Sequence, residues 1–248
     1  MTRLFGAELV KLRTVRSTWG FLLVALLFAG LIAAGNIGGT AADDRLDPEL
    51  QYKIVLDTTL PASILAILIG ILLVTNEFRH GTIARTLLAT PRRWKFVAIK
   101  LLVGGFTGAV LMTVMLGAVL VTASIWLGII DVPIAPGQLA DGAWRALLVV
   151  AVAGLFGAAI GGAVHSQVGA LVGALLWMFV LEPICWVVLG LLDLDGVSEY
   201  LPAAALGSAV DSTSGAPLSW GSAVLVACAW AGLASAVALF RTGRRDIT

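Results

Sequence analysis

The chain has 248 residues, 59% of them hydrophobic and only 12% charged, with a formal net charge of +1 and a mean hydropathy of +1.00. That composition excludes a soluble globular domain. No alternating ten-residue strand pattern recurs, which excludes an outer-membrane barrel, and no polar segment is long enough to form a soluble domain of its own. The expectation is an all-α polytopic membrane protein with a single membrane domain over residues 1–248.

In chain order, the N-terminal segment carries Arg3, Lys11, Arg13 and Arg16 ahead of a first apolar run. The run ends near Ala33-Ala34-Gly35, which imitates a signal cleavage site, but it is longer than a signal core and more spans follow. It is read as a retained helix. Six spans are predicted at roughly residues 19–37, 58–75, 101–129, 144–164, 168–191 and 218–240, each able to cross a core of about 30 Å at about 1.5 Å per residue. The second is the shortest and can start a turn earlier, near Val55. The third is too long for the bilayer, so its first turns stand in the interface or cytoplasm. The first outer loop is acidic, His165-Ser166-Gln167 is a tight turn, and the Leu192–Pro217 connection has a helix-competent middle at Pro202–Val210.

Positive charge sets the orientation. With six spans both termini share a side, and 13 of the 16 lysines and arginines fall on that side, leaving Arg45, Lys53 and Arg145 opposite. The positive-inside rule puts both termini in the cytoplasm of a bacterial-type plasma (inner) membrane.

The only substantial cytoplasmic connection is then the basic island from Asn76 to Lys95. Thr82 to Leu88 can form two helical turns, with Ile83/Leu87 and Ala84/Leu88 as apolar i,i+4 pairs and Arg79, Arg85 and Thr86 pointing elsewhere. Thr90-Pro91 reads as a cap followed by proline at the first helical position. Trp94, Phe96 and Lys100 suit the membrane interface. Gly81 permits a sharp turn between span and short helix. Two readings stand: the charges anchor the loop to anionic lipid, or they dock a partner. Glu77, which anchoring does not need, favours the second.

Glu77-Phe78-Arg79-His80-Gly81-Thr82 followed by Leu87-Leu88-Ala89-Thr90-Pro91-Arg92-Arg93 resembles the first cytoplasmic loop of ABC-2-type permeases, the six-span membrane subunits of bacterial ATP-driven exporters. Glu8-Leu9-Val10-Lys11-Leu12-Arg13-Thr14 is similar to the amphipathic connecting helix of that family (residues 1–18 here), and its stripe of Leu4, Phe5, Leu9, Leu12 and Val15 fits a helix on the inner leaflet. The resemblance implies a coupling helix docking on a separate ABC ATPase, with Glu77, Phe78, Arg79, Gly81, Thr82, Ile83, Arg85 and Leu87 as coupling residues and Glu8, Lys11 and Arg13 in the connecting helix. It also implies a second permease copy or paralogue, ATP and magnesium held on the ATPase, and no cofactor in this chain. Glu8 either pairs locally with Lys11 or contacts the ATPase or coupling loop.

Within the spans, Glu182-Pro183 stands out. A carboxylate there must be protonated, paired or facing protein or water, and proline removes a backbone donor and favours a kink or break. Leu181-Glu182-Pro183 is similar to the place where the fifth helix of that family breaks before a re-entrant outer hairpin. Glu182 either caps broken helix ends or serves cargo or gating. The spacings Gly104/Gly108, Gly157/Gly161 and Gly169/Gly173 are assigned to helix packing. Cys185 and Cys228 read as small hydrophobes, and neither His80 nor His165 has a metal-ligand partner. No Gly-Lys-Ser/Thr, His-Glu-x-x-His or Gly-x-Ser-x-Gly occurs, so the chain is expected to be a transport subunit rather than an enzyme, without a nucleic-acid partner. The sequence-level conclusion is the permease of an ATP-driven exporter of hydrophobic or amphipathic cargo. The rivals are an ion- or proton-coupled transporter using Glu182, for which no inverted repeat speaks, and a non-transporting assembly factor.

Overall fold

The computed structural model describes residues 6, 8, 10, 11, 16–39, 48–79, 93–129, 136–164, 166–210 and 218–244. Among them the regular structure is helical throughout. The elements are α1 (Arg16–Gly39), α2 (Pro48–Arg79), α3 (Arg93–Ile129), α4 (Pro136–Val164), α5 (Gln167–Leu176), a π-helical turn (Trp177–Leu181), α6 (Glu182–Leu191), α7 (Asp195–Ser198), α8 (Pro202–Val210) and α9 (Trp220–Arg244). Gly6, Glu8, Val10 and Lys11 are also helical. Among the described residues six helical segments are long and apolar enough to cross a membrane: Trp19–Asn36, Lys53–Arg79, Trp94–Ile125, Ala140–Val164, Gln167–Leu191 and Trp220–Arg241. The protein is an all-α, multi-pass membrane protein.

The second span is not the shortest. α2 runs for 32 residues, because its polar residues cost it little. Thr58, Thr59 and Ser63 are buried but each donates its hydroxyl to the carbonyl four residues earlier, at 2.6, 2.9 and 2.8 Å. Pro61 is accommodated inside the same helix. The helix at Pro202–Val210 is where the sequence placed it.

α4 is the hub of the bundle, packing most extensively on α2, then on α3 and α9. Glycine makes this possible. A β-carbon at Gly104 would stand 2.7 Å from the Gly154 carbonyl oxygen, and one at Gly161 would stand 2.8 Å from that of Ile71. At Gly108 and Gly157 a β-carbon would run into the backbone of Val150 and Ile67. The first two predicted glycine pairs are therefore packing positions, bringing α3 and α2 onto α4 at backbone contact. The third pair is not: a β-carbon at Gly173 meets nothing within 4 Å, and at Gly169 only the adjoining Ser166 and Val164 side chains. The second span is 72% buried in the bundle whereas the fifth is only 11% buried, so α2, α3 and α4 form the packed body and α5–α6 lie at its margin.

Candidate functional site

Among the described residues, the polar groups singled out by the sequence gather in two places within this apolar scaffold. The first is a closed ring of four charges at the end of the bundle where α2 stops and α3 starts. Glu8 and Lys11 sit three apart on the N-terminal helical segment, which puts them on one face. Lys11 Nζ donates to Glu8 Oε1 at 2.7 Å and to Glu77 Oε1 at 2.7 Å. Lys100 Nζ donates to Glu8 Oε2 at 2.5 Å and to Glu77 Oε1 at 2.8 Å, with a weaker contact to the Leu73 carbonyl at 3.3 Å. Each residue thus makes two ion pairs and the ring is electrically neutral. Glu8, Glu77 and Lys100 are buried, while the Lys11 side chain remains 49% exposed. Burial alone would raise the Glu8 carboxyl, but the attraction of Lys100 and then Lys11 outweighs it and holds the group below its ordinary value. Burial likewise disfavours the Lys11 ammonium, yet bonds to Glu77 and Glu8 raise it above the ordinary lysine value. Glu77 Oε2 is buried without a hydrogen-bond partner.

The ring ties three segments together: the N-terminal helix, the last turns of α2 and the eighth residue of α3. Glu8 pairs with Lys11, one of its two expected roles, and also with Lys100 of α3; the coupling loop of the other expected role lies outside the described residues. Lys100 corrects the sequence reading. It was expected to snorkel to the interface, but α3 starts at Arg93 and turns Lys100 into the bundle, with its ammonium 5.7 Å from the Phe96 ring. Phe96 is buried too, against Val97 and Ala238. Trp94 is exposed, as expected of an interfacial ring, with Lys95 5.7 Å from it. The available signal was that Glu77 and Lys100 are the innermost charges of two consecutive spans, and opposite charges forced into one apolar environment must find each other.

Of the remaining predicted coupling residues, Phe78 is half-buried and Arg79 is exposed. Arg79 donates to the Gln167 side chain at 2.9 Å, joining the end of α2 to the start of α5, where Ser166 caps α5 by accepting from the Gly169 amide at 3.2 Å. Gly81, Thr82, Ile83, Arg85 and Leu87, the expected coupling helix they belong to, and Arg13 lie outside the described residues.

The second constellation surrounds Glu182, which is 2% exposed. The chain does not open at Glu182-Pro183. The irregularity predicted there is a single π-turn over Trp177–Leu181, after which α6 continues with Pro183 in its first turn, where the missing amide is tolerated. Nor does the carboxylate serve its own helix ends. Its Oε1 accepts from the Ala204 amide at 2.8 Å and its Oε2 from the Trp177 indole at 2.8 Å. Ala204 belongs to the first turn of α8, whose amides have no intrahelical partner. Glu182 is therefore an N-terminal cap supplied by a different helix.

The chain can return to that depth because α6 ends in a tight turn. Asp193 adopts φ 56°, and Leu194 donates to the Leu189 carbonyl at 2.9 Å while Asp193 donates to that of Gly190 at 3.2 Å. This is the paired C-terminal closure usually built on glycine, with aspartate tolerating the left-handed conformation. α8 then packs back on α9, α4 and α2, and Trp230 donates its indole N–H to the Tyr200 carbonyl at 2.8 Å. Backbone groups at helix ends need partners, and Glu182 and Trp230 supply them for the Ala204 amide and the Tyr200 carbonyl. Among the described residues no group of three or more histidine, cysteine, aspartate or glutamate side chains is placed to hold a metal. Comparison with protein-family models finds no match, and comparison with curated proteins finds none either.

Proposed function

We propose that this chain is the membrane-spanning permease of an ATP-driven exporter of the ABC-2 type, working with a separate ABC ATPase and a second permease copy or paralogue, with both termini in the cytoplasm of a bacterial-type plasma membrane. The observation that carries this reading is the ion-pair ring of Glu8, Lys11, Glu77 and Lys100. It joins the N-terminal helix to both helices that flank the 80–92 connection. A partner pressing on that connection would load α2, α3 and the N-terminal helix together rather than bend one loop. An anchor to anionic lipid has no use for a neutral ring of ion pairs, three of its four members buried, at its root.

On this reading the permease exists in two arrangements, and ATP bound to the partner shifts their populations through its differential contact with the connection. The cargo is hydrophobic or amphipathic, in keeping with spans that carry few polar groups.

The experiment is co-expression with an ATPase subunit encoded beside the chain, followed by purification and reconstitution. Phe78→Asp, Leu87→Asp and Arg85→Glu should each reduce copurification or uncouple ATP hydrolysis from export while leaving membrane insertion intact, because a charge left without a partner in a buried contact costs several kcal/mol. Normal copurification and export in all three variants would return the connection to lipid anchoring.

A further inference from the structure

A cavity of about 280 Å³ lies between α2, α4, α5 with its π-turn, α8 and α9. Ile67, Phe156, Gly173, Trp177, Trp230 and Leu233 are among its lining residues, and no charged side chain is. Both tryptophans have already committed their only donors: Trp177 to Glu182 and Trp230 to Tyr200. What they offer the cavity is ring surface. Water needs two to four polar partners to be held in a cavity, and this one presents none, so it is not a water site. Left empty, its walls would forgo dispersion contacts that packed interiors ordinarily make.

Its depth identifies the occupant. Trp177 lies ten residues from Gln167 and Trp230 ten residues from Trp220, each about 15 Å along its helix and so near the middle of a hydrocarbon core of about 30 Å. The cavity is partly open, and Gly173 and Leu233 on its wall are exposed. The medium touching an exposed leucine at that depth is lipid tail.

We infer that this cavity is a binding site for one acyl chain of a bilayer phospholipid, inserted between the π-turn of the fifth span and α9 beneath the re-entrant α8. By the same measure, an engineered apolar cavity of about 150 Å³ holds a benzene-sized group, so this volume takes a segment of an acyl chain rather than a whole lipid. Recognition is of the chain and not of the headgroup. The site holds irrespective of whether an ATPase partner exists, so the two readings stand or fall separately.

The test uses the full chain alone, reconstituted in vesicles of dioleoyl phosphatidylcholine or dioleoyl phosphatidylglycerol, extracted in a mild non-ionic detergent and weighed by native mass spectrometry. The wild type should carry one phospholipid per chain, equally for the two headgroups. Gly173→Leu should lower that retention at least tenfold, since Gly173 lines the cavity and a β-carbon there is unobstructed. Ala234→Phe fills it from α9 and serves if the first variant misfolds. Gly221→Leu, equally unobstructed but away from the cavity, should retain lipid as the wild type does. Equal retention in filled and unfilled variants, dependence on headgroup, or a wild type carrying no lipid, whether as one copy or as a pair of copies closing over the cavity, would each overturn the assignment.

Discussion

Replacing Lys100 with methionine probes the ion-pair ring most directly. The substitution keeps a long unbranched side chain, so packing changes little, but Glu8 and Glu77 lose the one buried cation they share. Removing one partner of a buried ion pair costs about 3–5 kcal/mol, because the remaining charge stays desolvated. Lys11 still bonds both carboxylates, yet its side chain is 49% exposed, and solvent screens what it can offer. By the scaling for chains of this size, the loss corresponds to a fall in Tm on the order of 6–20 °C, measured by thermal unfolding in detergent. Lys11→Met, at the exposed corner of the ring, should cost clearly less. Adding Glu8→Gln and Glu77→Gln to Lys100→Met should restore much of the stability, since it removes the stranded charges along with their partner. A Lys100→Met variant no less stable than Lys11→Met, or one made worse by neutralising both carboxylates, would refute the buried ring.

The ring also predicts a pH dependence. Glu8 is held below its ordinary value of 4.5, so its contribution is present above that pH and is lost as pH falls through the lower folded value, whereas Lys11, held above 10.5, contributes below that pH and is lost as pH rises through its folded value; Tm should stay level between these limits and fall outside them. Gly157→Val, which would drive side-chain carbons into the Ile67 backbone, should cost more than the usual 1–3 kcal/mol of overpacking and abolish recovery of a monodisperse protein, while Gly221→Val should not. Glu182→Leu leaves both the Ala204 amide and the Trp177 indole unpaired, about 1–3 kcal/mol for each, whereas Glu182→Gln keeps one acceptor oxygen and turns an NH2 donor toward the other N–H, so it should lose about one of the two bonds and melt between the wild type and Glu182→Leu; equal losses in the two variants would remove the capping role. For orientation, with Cys185 and Cys228 first replaced, a cysteine at Ser198 should react with an impermeant thiol reagent from outside intact cells and one at Thr82 should not.

The spans were legible because membrane helices declare themselves by length and apolar content, which do not depend on neighbours. Pro202–Val210 was legible for a similar local reason, as a short helix-competent stretch bounded by proline and polar residues. What escaped was pairing across the bundle. Lys100 looks interfacial when only its own helix is considered, and nothing local reports that Glu8, 92 residues earlier, faces it. Glu182 was visible as an anomaly, but its service to Ala204 depends on a hairpin that turns back to the same depth. The third glycine pair shows the converse limit. Its spacing matches the other two, yet α5 lies at the margin of the bundle and has no neighbouring backbone to receive it.

The distribution of packing bears on how a signal could travel. α2, α3 and α4 meet through backbone contacts at Gly104, Gly108, Gly157 and Gly161, closer than a side chain there would permit, and form the packed body of the bundle. The ion-pair ring fastens the N-terminal helix to that body at Glu77 and Lys100. α5 and α6 are fixed differently, by the Arg79–Gln167 bond at one end and the Glu182–Ala204 bond farther along, with the π-turn between them. If a partner acts on the 80–92 connection, the packed body and the lightly held fifth span would respond unequally, and the π-turn is where the difference would be taken up. Arg79→Gln, which weakens the tie at the basic end, should then leave the stability within about 0.5 kcal/mol of the wild type, as for an exposed polar contact, yet speed amide hydrogen exchange over 167–181 without affecting α4. Faster exchange in α4 as well would mean that the fifth span is not a separable unit.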